Sequence, residues 1–193
     1  MIDRELLREL PPIVAGTFIA MVPMMTAPFL IGGGTVAAGL SPEQAGWIAT
    51  ASVGGVALAS MGVSPFIAQL PFRRAMMAFG GVLAASYVAL FLAESKEAFL
   101  MLALISGLSG GILLAGMAVR VAELPDPDRA YGYIYSGTSI VFALLLLALP
   151  AIGEAAGPRS MFLLIGACAG VAVPGMLRLK LCGHDGGQAA TAP

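Results

Sequence analysis

Apolar residues run along this chain in six long blocks separated by short polar corners. The blocks cover residues 13–38, 45–68, 75–93, 98–120, 131–152 and 159–177. Each is about the 20 residues that a helix needs to cross a hydrocarbon core about 30 Å thick. The pattern predicts an all-α membrane protein with six transmembrane helices. The corners are built to stop helices. Ser41 and Pro42 form a cap and first helical position ahead of Glu43, and Pro125, Asp126, Pro127 and Asp128 separate the fourth block from the fifth. The corner at residues 62–74 is bent by Pro65 and Pro71, made polar by Gln69 and closed by the adjacent pair Arg73 and Arg74.

Within the blocks, small residues recur every four positions: Ala51, Gly55 and Ala59, then Gly107 and Gly111, then Gly166 and Gly170. Such rows let helix backbones approach closely in a membrane. Pro23, Pro28, Pro65, Pro150 and Pro174 are each expected to kink or interrupt their helix.

Composition agrees with the pattern. The chain is 59% hydrophobic and only 11% charged, with a mean hydropathy of +0.92, against roughly a quarter charged in soluble domains. A net charge of -1 offers no basic surface, so nucleic acid is not an expected partner. Cys168 and Cys182 lie in different environments, so no disulfide framework is implied. Cys182 and His184 have the spacing of half a metal site without a second pair to complete it, and no metal or other cofactor is expected.

Position matters more than the sum of charge. If the amino terminus is inside, Arg4, Arg8, Arg73, Arg74, Arg120, Arg129, Arg178 and Lys180 are cytoplasmic and only Lys96 and Arg159 are outside. Lys and Arg collect on the cytoplasmic side, so this split predicts an inner-membrane, multi-pass protein with both termini inside. The expected organisation is a cytoplasmic segment at residues 1–12, a six-helix domain at 13–180 and a flexible cytoplasmic tail at 181–193. Residues 2–10 have two readings, an amphipathic surface helix or a tail, and the tail is preferred.

Hydroxyl groups are unevenly spread. The third block has only Ser86 and Tyr87 and the sixth, past Ser160, only Cys168, whereas the other four are richer. Spans three and six are therefore expected to face lipid and the other four to be interior. Helical spacing puts Tyr131, Tyr135, Thr138 and Phe142 on one face of span five. It does the same for Ser106, Ser109, Leu113, Met117 and Arg120 on span four and for Thr17, Met21, Met24, Pro28 and Thr35 on span one. Thr17, Met21, Met24, Ser106, Ser109, Tyr135 and Thr138 are thus candidate walls of a solute cavity, with few polar contacts in a mostly apolar surface. Arg120, at the cytoplasmic end, has two readings: it attracts an anionic group of the solute, or it snorkels to the headgroups. The plainer reading of the whole set is that hydroxyls bond back to their own helix and methionines fill gaps. No Asp, Glu, Lys, Arg or His lies at mid-membrane depth, and no nucleophile, base or metal cluster marks an enzyme.

The layout, loop lengths and corner residues resemble the amino-terminal half of a major facilitator superfamily transporter. Arg73 and Arg74 match the closing basic pair of the family's corner signature after span two, while Gln69 stands at its acidic position and Pro65 and Phe72 at its glycines. Gly39 to Ser41 with Gln44 to Gly46 resemble the first outer loop, Arg129 with Gly132 the corner before span five, and Pro150 with Gly153 the fifth-span signature. The resemblance implies two inverted three-helix repeats, a gating role for Gln69, Arg73 and Arg74, and transport of a small solute by alternating access. The family site lies between two such halves, so it also implies a second transporter half or a homodimer partner. The other reading is a non-transporting membrane scaffold or assembly protein. The topology is directly testable: cysteines placed at Leu40 and Gly157 should react with an impermeant thiol reagent on intact cells. Reaction at Asp126 instead would reverse the orientation.

Overall fold

The computed structural model describes residues 4–37 and 39–179. They form the helices α1 (Arg4–Met25), α2 (Ala27–Ala37), α3 (Pro42–Val63), α4 (Phe72–Leu92), α5 (Lys96–Ala122), α6 (Pro127–Ala156) and α7 (Ser160–Ala172). Short 3-10 segments, Ser64–Gln69 and Val173–Arg178, finish spans two and six at the positions of Pro65 and Pro174. Five helical stretches are long and apolar enough to cross a membrane, and α1 with α2 makes a sixth span bent by 50°.

That bend has a local cause. Pro28 has no amide and its ring crowds the carbonyl one turn earlier, so the helix cannot run straight through Thr26. The Phe29 amide falls back on the Thr26 carbonyl at 2.9 Å, a tighter turn than an α-helix makes. Pro150, by contrast, lies inside the continuous α6. At the turns before α3 and after α6, Gly39 (φ +62°) and Gly157 (φ +90°) take left-handed conformations that suit glycine. The expected terminal tail differs from the fold: the chain is helical from Arg4 and continues through Pro11 and Pro12 into span one. Lys180, the 181–193 tail, Cys182 and His184 lie outside the described residues.

Spans one, four, three and six close a ring, each touching the next, with span two packed on span four and span five on span one. Exchanging one with four, two with five and three with six maps these contacts onto one another, as two three-helix repeats require, while span two also packs on the α2 part of span one and span five on span six. Spans two, four, one and five form an arc, called here the front, and three and six stand behind it. The sequence expectation for three and six needs correcting. They do show outward stripes, such as Val82, Val88 and Leu92, but span three also buries Leu83, Ser86, Tyr87 and Leu90. Span five, expected to be interior, buries the smallest share of its length among these spans. Hydroxyl content fails as a guide here because several hydroxyls bond within their own helix and place no demand on the neighbouring one.

The two repeats pack unequally. Between spans two and four, a side chain on Gly107 would strike the Ser52 carbonyl and one on Gly111 the Val56 carbonyl. A Cβ on Gly55 would sit 3.1 Å from the Leu108 amide nitrogen. The backbones are therefore in direct contact, as the four-residue rows predicted. The counterpart contact of spans one and five uses bulk instead: the rings of Phe18 and Phe142 meet at 4.8 Å between centroids. The replacement Gly107→Ala should destabilise the protein by about 1–3 kcal/mol through overpacking. Gly62→Ala, where the added carbon meets nothing within 4 Å, should leave thermal unfolding in detergent nearly unchanged.

Candidate functional site

Span one presents its candidate residues between its two front neighbours. Gly16 backs onto Met117 of span four, and Val14 and Phe18 meet Gly137 and Phe142 of span five. By helical spacing Thr17, Met21 and Met24 lie between these two contacts, facing the front. Thr17 is buried, Met21 half-buried and Met24 38% exposed.

The span-five stripe lies beside them. Phe142 and Thr138 are buried, whereas Tyr135 is 44% exposed and stacks on Tyr131 with ring centroids 6.0 Å apart. The Tyr131 hydroxyl reaches the Ala118 carbonyl of span four at 3.5 Å, a long contact that ties spans four and five at this end of the arc. Thr138 is only 1% exposed, and its hydroxyl has no hydrogen-bond partner among the described residues. Such a group costs free energy where it stands.

Span four turns its candidate face elsewhere. Gly116 packs on Met76 and Phe72 at the span-three side, Met117 packs on Gly16 of span one, and Ser106 and Leu113 are fully buried. The stripe of Ser106, Ser109, Leu113 and Met117 therefore fills the inside of the ring and does not look onto the front. Ser106 tolerates this because its hydroxyl donates to the Ala103 carbonyl of its own helix at 2.8 Å. Ser109 borders a separate flank groove of about 530 Å³ with Ala59, Phe79 and Ile112. No single cavity among the described residues collects all the candidates.

Arg120 lies in the last turn of α5. It is turned inward, with its side chain 11% exposed, and its guanidinium binds the Glu123 carboxylate at 2.9 Å one turn on. An acidic partner this close neutralises the charge that would draw an anion or a headgroup. Gln69, Arg73 and Arg74 are all exposed at the corner between α3 and α4. Arg73 and Arg74 occupy the first turn of α4, where the helix dipole disfavours cations, so their setting favours an outside anionic contact.

Several hydroxyls of the spans bond back to their own helix. Thr35, Thr50, Ser60, Ser64, Ser86 and Ser106 each donate to a carbonyl three or four residues back. One polar contact between spans escaped the sequence reading. Tyr87 of span three is fully buried, and its hydroxyl lies 2.8 Å from that of Thr26 at the break in span one. Thr26 spends its own proton on the Val22 carbonyl at 2.8 Å, so Tyr87 is the donor. The signal was present, since a tyrosine in an otherwise apolar span needs a partner and a threonine between two prolines offers one.

The chain thus has six spans in two repeats, with an arginine pair closing the corner after the second. The family model of the Major Facilitator Superfamily matches residues 13–182, nearly the whole chain. The chain belongs to the major facilitator superfamily. No curated protein matches it individually. As a major facilitator chain it is a multi-pass membrane transporter protein, and its spans one and four are the two that touch most neighbours in the bundle. The Thr26–Tyr87 pair fixes the broken span of this major facilitator bundle to the back row. Replacing Tyr87 with Phe should lower thermal stability by about 0.6 kcal/mol, the usual worth of a hydrogen bond between membrane helices, and at most about 1.7 kcal/mol. Unfolding of the purified variant measures it.

Proposed function

We propose that this transporter chain moves a small, largely apolar solute by alternating access along the front of the bundle. Thr17, Met21 and Met24 of span one and Tyr135 and Thr138 of span five form the wall. Ser106 and Ser109 of span four support it from inside the ring, and Arg120 acts through its pair with Glu123 and takes no part in solute contact. The wall is made of thioether, aromatic and hydroxyl groups without an Asp, Glu, Lys, Arg or His side chain, a surface suited to an apolar solute with a few polar handles. A second transporter half or a second copy of the chain supplies the opposite wall. The termini are cytoplasmic in an inner membrane, and Gln69, Arg73 and Arg74 form the gate corner, with glutamine giving a weaker latch than an acid.

The observation that carries the reading is the Thr138 hydroxyl. It is buried without a partner beside span one, at a cost of about 1–3 kcal/mol. A separation of spans one and five gives it a solute or water to bond, which offsets that cost in the other state. The near-isosteric Thr138→Val should therefore raise the unfolding temperature and lower uptake of apolar solutes into proteoliposomes. A stabilised variant with full uptake sinks the assignment of Thr138 to the wall.

A further inference from the structure

We infer that the flank between spans one, five and six is a binding groove for one acyl chain of a membrane phospholipid. The recess has a volume of about 730 Å³ and is lined by Val14 and Phe18 of span one, Leu145 and Ala148 of span five, and Cys168 and Val171 of span six, among others. Aliphatic and aromatic carbon makes up nearly all of its surface, and the Cys168 sulfur is its one side-chain heteroatom.

Three observations fix the occupant. First, the groove is built into the packing. The Phe18–Phe142 ring pair props span five away from span one, while the equivalent pair of spans in the other repeat is drawn together by glycines. Second, its lining comes from the membrane-crossing parts of three apolar helices, so it opens at hydrocarbon depth. Val171 on its rim is 81% exposed, and the neighbouring Leu144 66%. Third, the apolar walls give water no partners, because a buried water needs two to four polar groups. Unfilled walls would also forfeit their dispersion contacts. Within a bilayer the fluid at hand to fill an apolar recess is the hydrocarbon of the lipid itself. The part of the groove along span six, Leu164 to Ala172, extends about 12 Å at 1.5 Å per residue, close to the roughly 15 Å of one leaflet's hydrocarbon. A chain lying upright in one leaflet matches that length.

This proposal stands on the groove alone and does not depend on the transport reading. The test uses the full chain in vesicles of phosphatidylcholine carrying a diazirine midway along one acyl chain, with adducts mapped by mass spectrometry after illumination. Adducts at residues 141–148 and 164–172 should exceed those at the exposed apolar residues Leu58 and Leu92, which line neither groove, by about tenfold, the ratio given by a preference of 1.4 kcal/mol. Ala167→Trp, which fills the groove from span six, should abolish the excess while helical circular dichroism is unchanged. Ala148→Trp fills it from span five and serves the same purpose if the first variant does not fold. Even labelling over all exposed apolar residues overturns the proposal. So does an excess that both filling variants leave intact, or the appearance of chain-to-chain cross-links through the groove in place of lipid adducts.

Discussion

The bundle depends on backbone meeting backbone between spans two and four. In hydrocarbon the hydrophobic effect does not drive helices together, so packing contacts and interhelical hydrogen bonds must do so. Gly55, Gly107 and Gly111 bring the two backbones into direct contact over two turns. That seam fixes span four, and span four in turn touches spans one and three. The remaining helices are placed by reference to it.

The inverted repeats share a plan without sharing an interface. One repeat pair closes on glycine and the other on two phenylalanines, so one side of the arc is tight and the other is propped open. The difference between a missing Cβ and an aromatic ring decides where the bundle is solid and where it leaves a groove. The same side holds the partnerless Thr138 hydroxyl and the exposed stack of Tyr131 and Tyr135. The features that suit movement and the features that suit a ligand gather at spans one and five, the less firmly packed pair.

Polar groups inside the spans are under one pressure, to find an acceptor where water is scarce, and among the described residues the Thr138 and Ser52 hydroxyls are left without one. Several hydroxyls find theirs within their own helix, which makes them cheap to bury and poor indicators of a cavity. Tyr87 is too long to do so. It reaches across to Thr26 and thereby fixes the one broken span, whose break comes from Pro28. Arg120 answers the same pressure by taking Glu123 as a partner one turn along its own chain.

The sequence by itself determined the class, the spans and the family, because those rest on properties that add along the chain. Length and apolarity decide what crosses a bilayer, proline limits where a helix can break, and small residues four apart decide which faces can approach. Gly107 and Gly111 were legible for that reason, and so was the Ser41 cap, whose hydroxyl accepts from the Gln44 amide at 3.2 Å where span two starts. Only the tertiary structure decided which way each stripe turns. Helical spacing shows that Ser106, Leu113 and Met117 share a face, but it carries no information on whether that face meets the front or the inside of the ring. The glycine seam between spans two and four and the Phe18–Phe142 contact between spans one and five set those rotations. They are properties of neighbours distant in sequence, and no periodicity within one helix records them.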